Sequence, residues 1–114
     1  MAAESTNVYR RRWQREAHRV LGELLAFDDL PAMAWTIAVS GAVTGAVDSL
    51  TSTPVEQRAA FTAWAARLGA TPTERTDRAG VVHLYAPFAW GQAVTVGAIR
   101  ATIHPEFDAE DGGL

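Results

Sequence analysis

Between Leu30 and Val47 the chain carries no charged residue. A run of that kind either crosses a membrane or lies in a sheet, and each choice dictates a different protein. The membrane reading has the GxxxG spacing of Gly41 and Gly45 in its favour. Against it, the run is at the short limit for a span, is interrupted by Pro31, Thr36, Ser40 and Thr44, and relies on alanines of weak hydrophobicity. A period of two fits better. Met33, Trp35, Ile37 and Val39 fall on one side and Ala34, Thr36, Ala38 and Ser40 on the other. A turn at Ser40-Gly41 lets Val43 and Val47 continue the alternation, so a β-hairpin is expected here and no membrane span.

The segments flanking this hairpin follow a helical period. From Thr6 or Asn7, both acceptable N-caps, to Phe27, the residues Tyr9, Trp13, Ala17, Val20, Leu21, Leu24 and Phe27 fall within an arc of about 120°. That is the stripe of a core-facing helix, ended by Asp28, Asp29 and Pro31. A second helix starts at Thr53-Pro54-Val55-Glu56, which combines a threonine cap, a proline at the first helical position and a glutamate three residues after the cap. It puts Ala60, Phe61, Trp64, Ala65 and Leu68 on one face and stops at Gly69, a residue suited to a left-handed C-cap.

After Thr71-Pro72, a short strand over Thr73–Thr76 should turn through Asp77-Arg78-Ala79-Gly80 into a strand over Val81–Ala86. Pro87 to Gln92 reads as a connecting loop and Ala93 to Ile103 as the last strand. In that strand Val94 and Val96 are out of phase with Ile99, Ala101 and Ile103, which suggests a bulge near Gly97. The expected fold class is α+β in the order α-ββ-α-βββ, with both helices on one face of an antiparallel sheet. The expected organisation is a disordered N-terminus over 1–5, a single domain over 6–104, and a flexible acidic tail over 105–114 containing Glu106, Asp108, Glu110 and Asp111.

Length and composition agree with one core, since 114 residues with 48% hydrophobic and 20% charged side chains fall in the globular range. A domain of this size gains from a partner subunit, which makes a homodimer an early expectation. The absence of cysteine removes disulfides and thiolate chemistry, and Met1 to Arg12 lacks an apolar signal segment, so a cytoplasmic location is expected. All ten basic residues are arginine, a pattern of GC-rich genomes, and five of them lie within the first twenty residues.

No catalytic pattern is legible. His18, His83 and His104 fall on three different elements without metal-ligand spacing, so no metal and no cofactor are expected. No serine lies in GxSxG, and the glycines fit neither a phosphate loop nor a dinucleotide fingerprint. The paired carboxylates Asp28-Asp29 stand where solvent keeps both ionised.

Two features point to binding. Arg11, Arg12, Arg15 and Arg19 project within about 100° of one another, opposite the apolar stripe, and guanidinium forks in a line suit phosphates. An amphipathic helix also needs a charged outer face, and Glu16 and Glu23 would neutralise part of it. The stretch Tyr85-Ala86-Pro87-Phe88-Ala89-Trp90-Gly91 is aromatic where loops are normally polar, which makes Tyr85, Phe88 and Trp90 candidate partner-binding residues. The competing expectation is that they fold back over the core edge.

The end of the second helix, AWAARLGA, the turn ERTDRAG and the final strand WGQAVTVGAIRATI together resemble small uncharacterised α+β proteins of actinobacteria and their mobile elements. The resemblance covers under half of the chain and rests on scaffold residues, so it implies a fold and carries no functional residue. The leading expectation is a non-catalytic interaction module that binds a second copy or another protein through its sheet or aromatic stretch. Two alternatives stand beside it: nucleic-acid binding through the arginine line, and a small-ligand or enzymatic site between helices and sheet.

Overall fold

The computed structural model describes residues 2–91 and 94–105, with no account of the side chains of residues 2–5. Two helices and five strands follow in the order α1 (Ala2–Leu25), β1 (Met33–Ile37), β2 (Val43–Val47), α2 (Pro54–Leu68), β3 (Thr73–Thr76), β4 (Val82–Trp90) and β5 (Thr95–Ile103). The class is α+β. The strands form one sheet in the order β1-β2-β5-β4-β3. Of the acidic tail expected over 105–114, only Pro105 lies within the described residues.

One pairing departs from the antiparallel sheet expected from sequence, because β2 and β5 run parallel, with Val43 opposite Gly97. The cause is α2. A helix inserted after β2 carries the chain back along the sheet, so β3 starts in the direction of β2, and two tight turns later β5 shares that direction. The meander β3-β4-β5 then docks its last strand, not its first, against the hairpin.

The hairpin β1–β2 forms where the period-two pattern placed it, with Trp35 opposite Gly45. Both glycines of the GxxxG spacing have tasks in this sheet. Gly41 takes φ 84° in the turn, and a Cβ there would approach the Trp13 Cβ to 2.7 Å, so the turn presses directly on α1. At Gly45 a Cβ would stand 2.7 Å from the Trp35 ring, so the missing side chain makes room for that indole.

Helix α2 carries the complete capping box. The Glu56 backbone N–H donates to Thr53 Oγ1 at 3.2 Å, and the Thr53 N–H donates to Glu56 Oε1 at 2.8 Å. Gly69 ends the helix at φ 66°. Its buried face presents Ala60, Phe61, Trp64, Ala65 and Leu68, plus Gln57, whose Nε2 is satisfied by the Ser52 carbonyl at 2.9 Å. The Trp64 indole N–H likewise donates to the Pro31 carbonyl at 2.7 Å. Between helices and sheet lies one core in which Val20, Leu24, Val43, Phe61 and Ile99 are fully enclosed.

Helix α1 differs from expectation at both ends and along its stripe. It begins at Ala2 and ends at Leu25. Ala17, Val20 and Leu24 are buried, but Tyr9 and Trp13 are 50% and 47% exposed. The helix is simply longer than what it packs on. Its 24 residues span about 36 Å, whereas a five-residue strand such as β2 covers about 17 Å. The turn at Gly41 is met at the level of Trp13, and every residue from Thr6 to Trp13 is exposed.

The aromatic stretch is also placed differently. The loop expected over Pro87 to Gln92 is mostly strand, since β4 runs unbroken to Trp90 and pairs with β5 from Val82–Ile103 to Trp90–Thr95. Proline is tolerated there because β3 reaches only Tyr85, so at Pro87 β4 has a neighbour on one side alone. No bulge interrupts β5. Thr95, Gly97, Ile99, Ala101 and Ile103 share the helix side, and the phase conflict disappears because Val96 faces away at 58% exposure.

Candidate functional site

The strand alternation divides the three aromatic candidates. Phe88 points into the core and is 7% exposed. Trp90, also on the helix side, is half-buried with its ring edge-on to Phe27 at 5.9 Å, and Phe27 in turn has the Arg67 guanidinium 4.7 Å over its face. Tyr85 points the other way and is 49% exposed. They therefore do not make one contact patch; Phe88 and Trp90 complete the core edge, and Tyr85 belongs to a different surface.

That surface is the side of the sheet that bears no helix. Register places Ala34, Ala46, Arg100, Tyr85 and Thr73 in one row across all five strands. The next row holds Thr36, Thr44, Ala98 and Pro87, and a third pairs Val96 with Ala89. Toward the opposite end come Thr102, His83 and Arg75. A sheet with one solvated face normally alternates apolar with polar or charged residues. Here the outward positions are small or apolar through most of four strands, and charge enters only at Arg75 and Arg100, with His83 beside Arg75.

His83 is held from the adjoining turn. Its Nε2 lies 3.0 Å from Asp77 Oδ2, while Asp77 Oδ1 accepts from the backbone N–H groups of Ala79 and Val81 at 2.9 and 3.0 Å. These bonds, that of His83 first, hold the Asp77 carboxyl below its ordinary range. Asp48 is lowered similarly, by the Thr51 hydroxyl and the Leu50 N–H, in the loop leading to α2. Both carboxylates are explained by the turns they close.

A second concave feature lies between the first turns of α2 and the far ends of β4 and β5. It is a shallow groove of about 740 Å³ walled by Val55, Ala59, Ala63, Val82, Ile103 and Pro105. Arg58 stands at its side, its guanidinium engaged by both oxygens of Glu74 at 2.9 and 3.3 Å. No sequence signal marked this groove, because its lining comes from three separated segments of ordinary apolar residues.

The arginine line is not uniform. Arg19 is bound by Glu16 at 2.5 Å and by Glu23 at 3.1 Å, which lowers the Glu16 carboxyl and raises the guanidinium. Arg12 lies 5.7 Å from the Tyr9 ring centre. Arg11 and Arg15, with Gln14 and His18, line a small hollow on the outer side of α1 and engage no carboxylate among the described residues. Among the described residues no three His, Asp or Glu side chains are grouped to hold a metal ion, and no helix is long and apolar enough to cross a membrane.

A scan against protein-family models, a search of curated proteins and a search of solved structures found no match to this chain.

Proposed function

We propose that this chain is a non-catalytic interaction module that pairs with a second copy of itself through the open face of its sheet. The observation that supports the reading is the composition of that face: Ala34, Ala46, Ala89, Ala98, Pro87, Val96 and Tyr85 in adjoining rows, with threonines and the single charge of Arg100 among them. Apolar surface of this kind gains roughly 25 cal/mol for each Å² removed from water. Short side chains also let two sheets stack at or below the usual spacing of about 10 Å. A two-fold axis would bring the same rows together from both copies, as an isologous interface requires. Arg75 and His83 lie toward one end and would sit at the rim, where charge is normally found, whereas Arg100 is the one charge within the face, on the central strand between Ala46 and Tyr85.

Light scattering coupled to size exclusion tests this. The wild-type chain is expected at twice its monomer mass, and Ala98→Arg, which sets a second guanidinium beside that of Arg100 and adds bulk where the face is flat, is expected at the monomer mass with an unchanged circular dichroism spectrum. A monomeric wild type across the micromolar range, or a dimer unaffected by Ala98→Arg, defeats the reading.

The groove beside α2 supports a second reading, as a site for an apolar ligand, since its volume falls within the range of small-molecule sites. Ala59→Trp and Ala63→Trp would fill it. A hydrophobic fluorophore that binds the wild type and not these variants would favour this reading.

A further inference from the structure

The two halves of α1 treat their arginines in opposite ways. In the half that rests on the sheet, Arg19 is neutralised by Glu16 and Glu23, the i,i+3 and i,i+4 pairing by which an ordinary exposed helix face is settled. In the half that extends past the Gly41 turn and starts one turn below it, the sequence Thr6 to Arg15 holds Arg10, Arg11, Arg12 and Arg15 and no carboxylate. Arg11 and Arg15 are neighbours on the same face, and like charges at that spacing destabilise a helix. Among the described side chains, the charge thus meets no carboxylate from Thr6 to Arg15, and it is compensated where the helix is packed.

We infer that the projecting part of α1 is a docking element for the phosphate backbone of a nucleic-acid duplex, with Arg10, Arg11 and Arg12 as its contacts and Arg15 at its base. The arrangement of charge selects this occupant over an anionic bilayer. At about 100° per residue, Arg11, Arg12 and Arg15 spread over one side while Arg10 lies on the opposite flank, next to the Tyr9 and Trp13 stripe. Val8, 55% exposed, falls among the arginines. A helix lying in a bilayer surface needs its apolar residues gathered on one face and its cations on the other. A helix between two phosphate walls needs cations on both flanks, which is the pattern here.

Dimensions agree. An α-helix with its side chains is about 10 to 12 Å across, matching a major groove about 12 Å wide. The exposed turns from Thr6 to Arg12 reach about 10 Å beyond the body, comparable to a groove depth of about 8.5 Å. The positive end of the helix dipole also leads. Arg19, the fourth member of the line read from sequence, is excluded because its charge is already engaged.

The test uses the full chain and a labelled mixed-sequence DNA duplex, with anisotropy read at several salt concentrations. The wild type is expected to bind, with log affinity falling linearly against log salt by about 0.9 for each phosphate neutralised. Changing Arg10, Arg11, Arg12 and Arg15 together to Gln should weaken binding about a hundredfold or more and flatten that slope. The corresponding Lys variant should keep the slope, because the charge is retained. Arg78→Gln, in the turn of the β3–β4 hairpin, should leave both quantities nearly unchanged. All these side chains are exposed, so unaltered circular dichroism is expected throughout. Duplex binding that survives the fourfold Gln change overturns the inference. So does wild-type binding to phosphatidylserine vesicles without binding to the duplex, or a poly-glutamate chain bound as tightly as DNA.

Discussion

Phe88 and Tyr85 stand three residues apart in one strand, and their surroundings could hardly differ more. Phe88 faces the helices and is enclosed by the core; Tyr85 faces away and lies open between Arg100 and Thr73. The same contrast holds across the sheet. The covered side is built from branched and aromatic groups such as Val43, Leu84, Phe88 and Ile99, and the open side from short ones. Both sides avoid charge over most of their area, so what separates them is size. Large side chains fill the space under α1 and α2, and small ones leave a flat surface that another flat surface can approach.

The sharpest way to break this contrast is to truncate one residue from each side. Phe88→Ala should cost about 3 to 5 kcal/mol, because the helices cannot collapse onto the void. Tyr85→Ala should change the stability of the monomer by no more than about 0.5 kcal/mol. Urea denaturation of the two variants in the background of Ala98→Arg removes any contribution from assembly, and similar losses for both would mean that the two faces are not distinct. A smaller effect comes from the cover itself. Thr53→Ala removes the cap of α2 and should lower stability by about 1 kcal/mol, visible as a shifted midpoint with an unchanged slope. An unchanged midpoint would show that the cap does not help to hold the helix on the sheet.

The smallest effect belongs to the rim of the open face. Asp77 has its folded-state pKa depressed by His83 and by backbone N–H groups, so the folded state binds its proton less readily than the unfolded state. Its contribution is therefore complete above the ordinary carboxylate range and is lost as pH falls through the lowered value. Glu16, Asp48 and Glu74 are depressed as well and act in the same direction. Denaturation midpoints should thus be level near neutrality and decline in acid, and Asp77→Asn should make that decline shallower. An acid limb identical in wild type and Asp77→Asn would remove Asp77 from the account.

Local chemistry was the legible part of this sequence. The Thr53–Glu56 box, the Gly69 cap and the hairpin from Met33 to Val47 depend on residues a few positions apart, and each occurs where its signal stood. What could not be read were the features set by distant neighbours. Tyr9 and Trp13 continue the apolar period of α1, yet nothing local says that the sheet stops at Gly41. Pro87 reads as a breaker unless it is known that β3 ends opposite Tyr85. The aromatic candidates were grouped by proximity in sequence, and a strand sorts such neighbours onto opposite sides. The open face itself was half visible, since Ala34, Thr36 and Ala38 alternate with the larger Met33, Trp35 and Ile37. Its contributions from β4 and β5 depended on a parallel pairing that no local pattern encodes.

That parallel seam bears on how the chain is made. The hairpin β1–β2 can close early, but the outer edge of β2 finds its partner only in β5, the last strand in chain order. Until β5 has left the ribosome, Val43 to Val47 presents an unpaired strand edge. Contacts this far apart in sequence form slowly, because the closure of the intervening loop must come first. The nascent chain therefore passes through a stage in which its most adhesive segment is exposed, and α2, already complete by then, is the element placed to shield it.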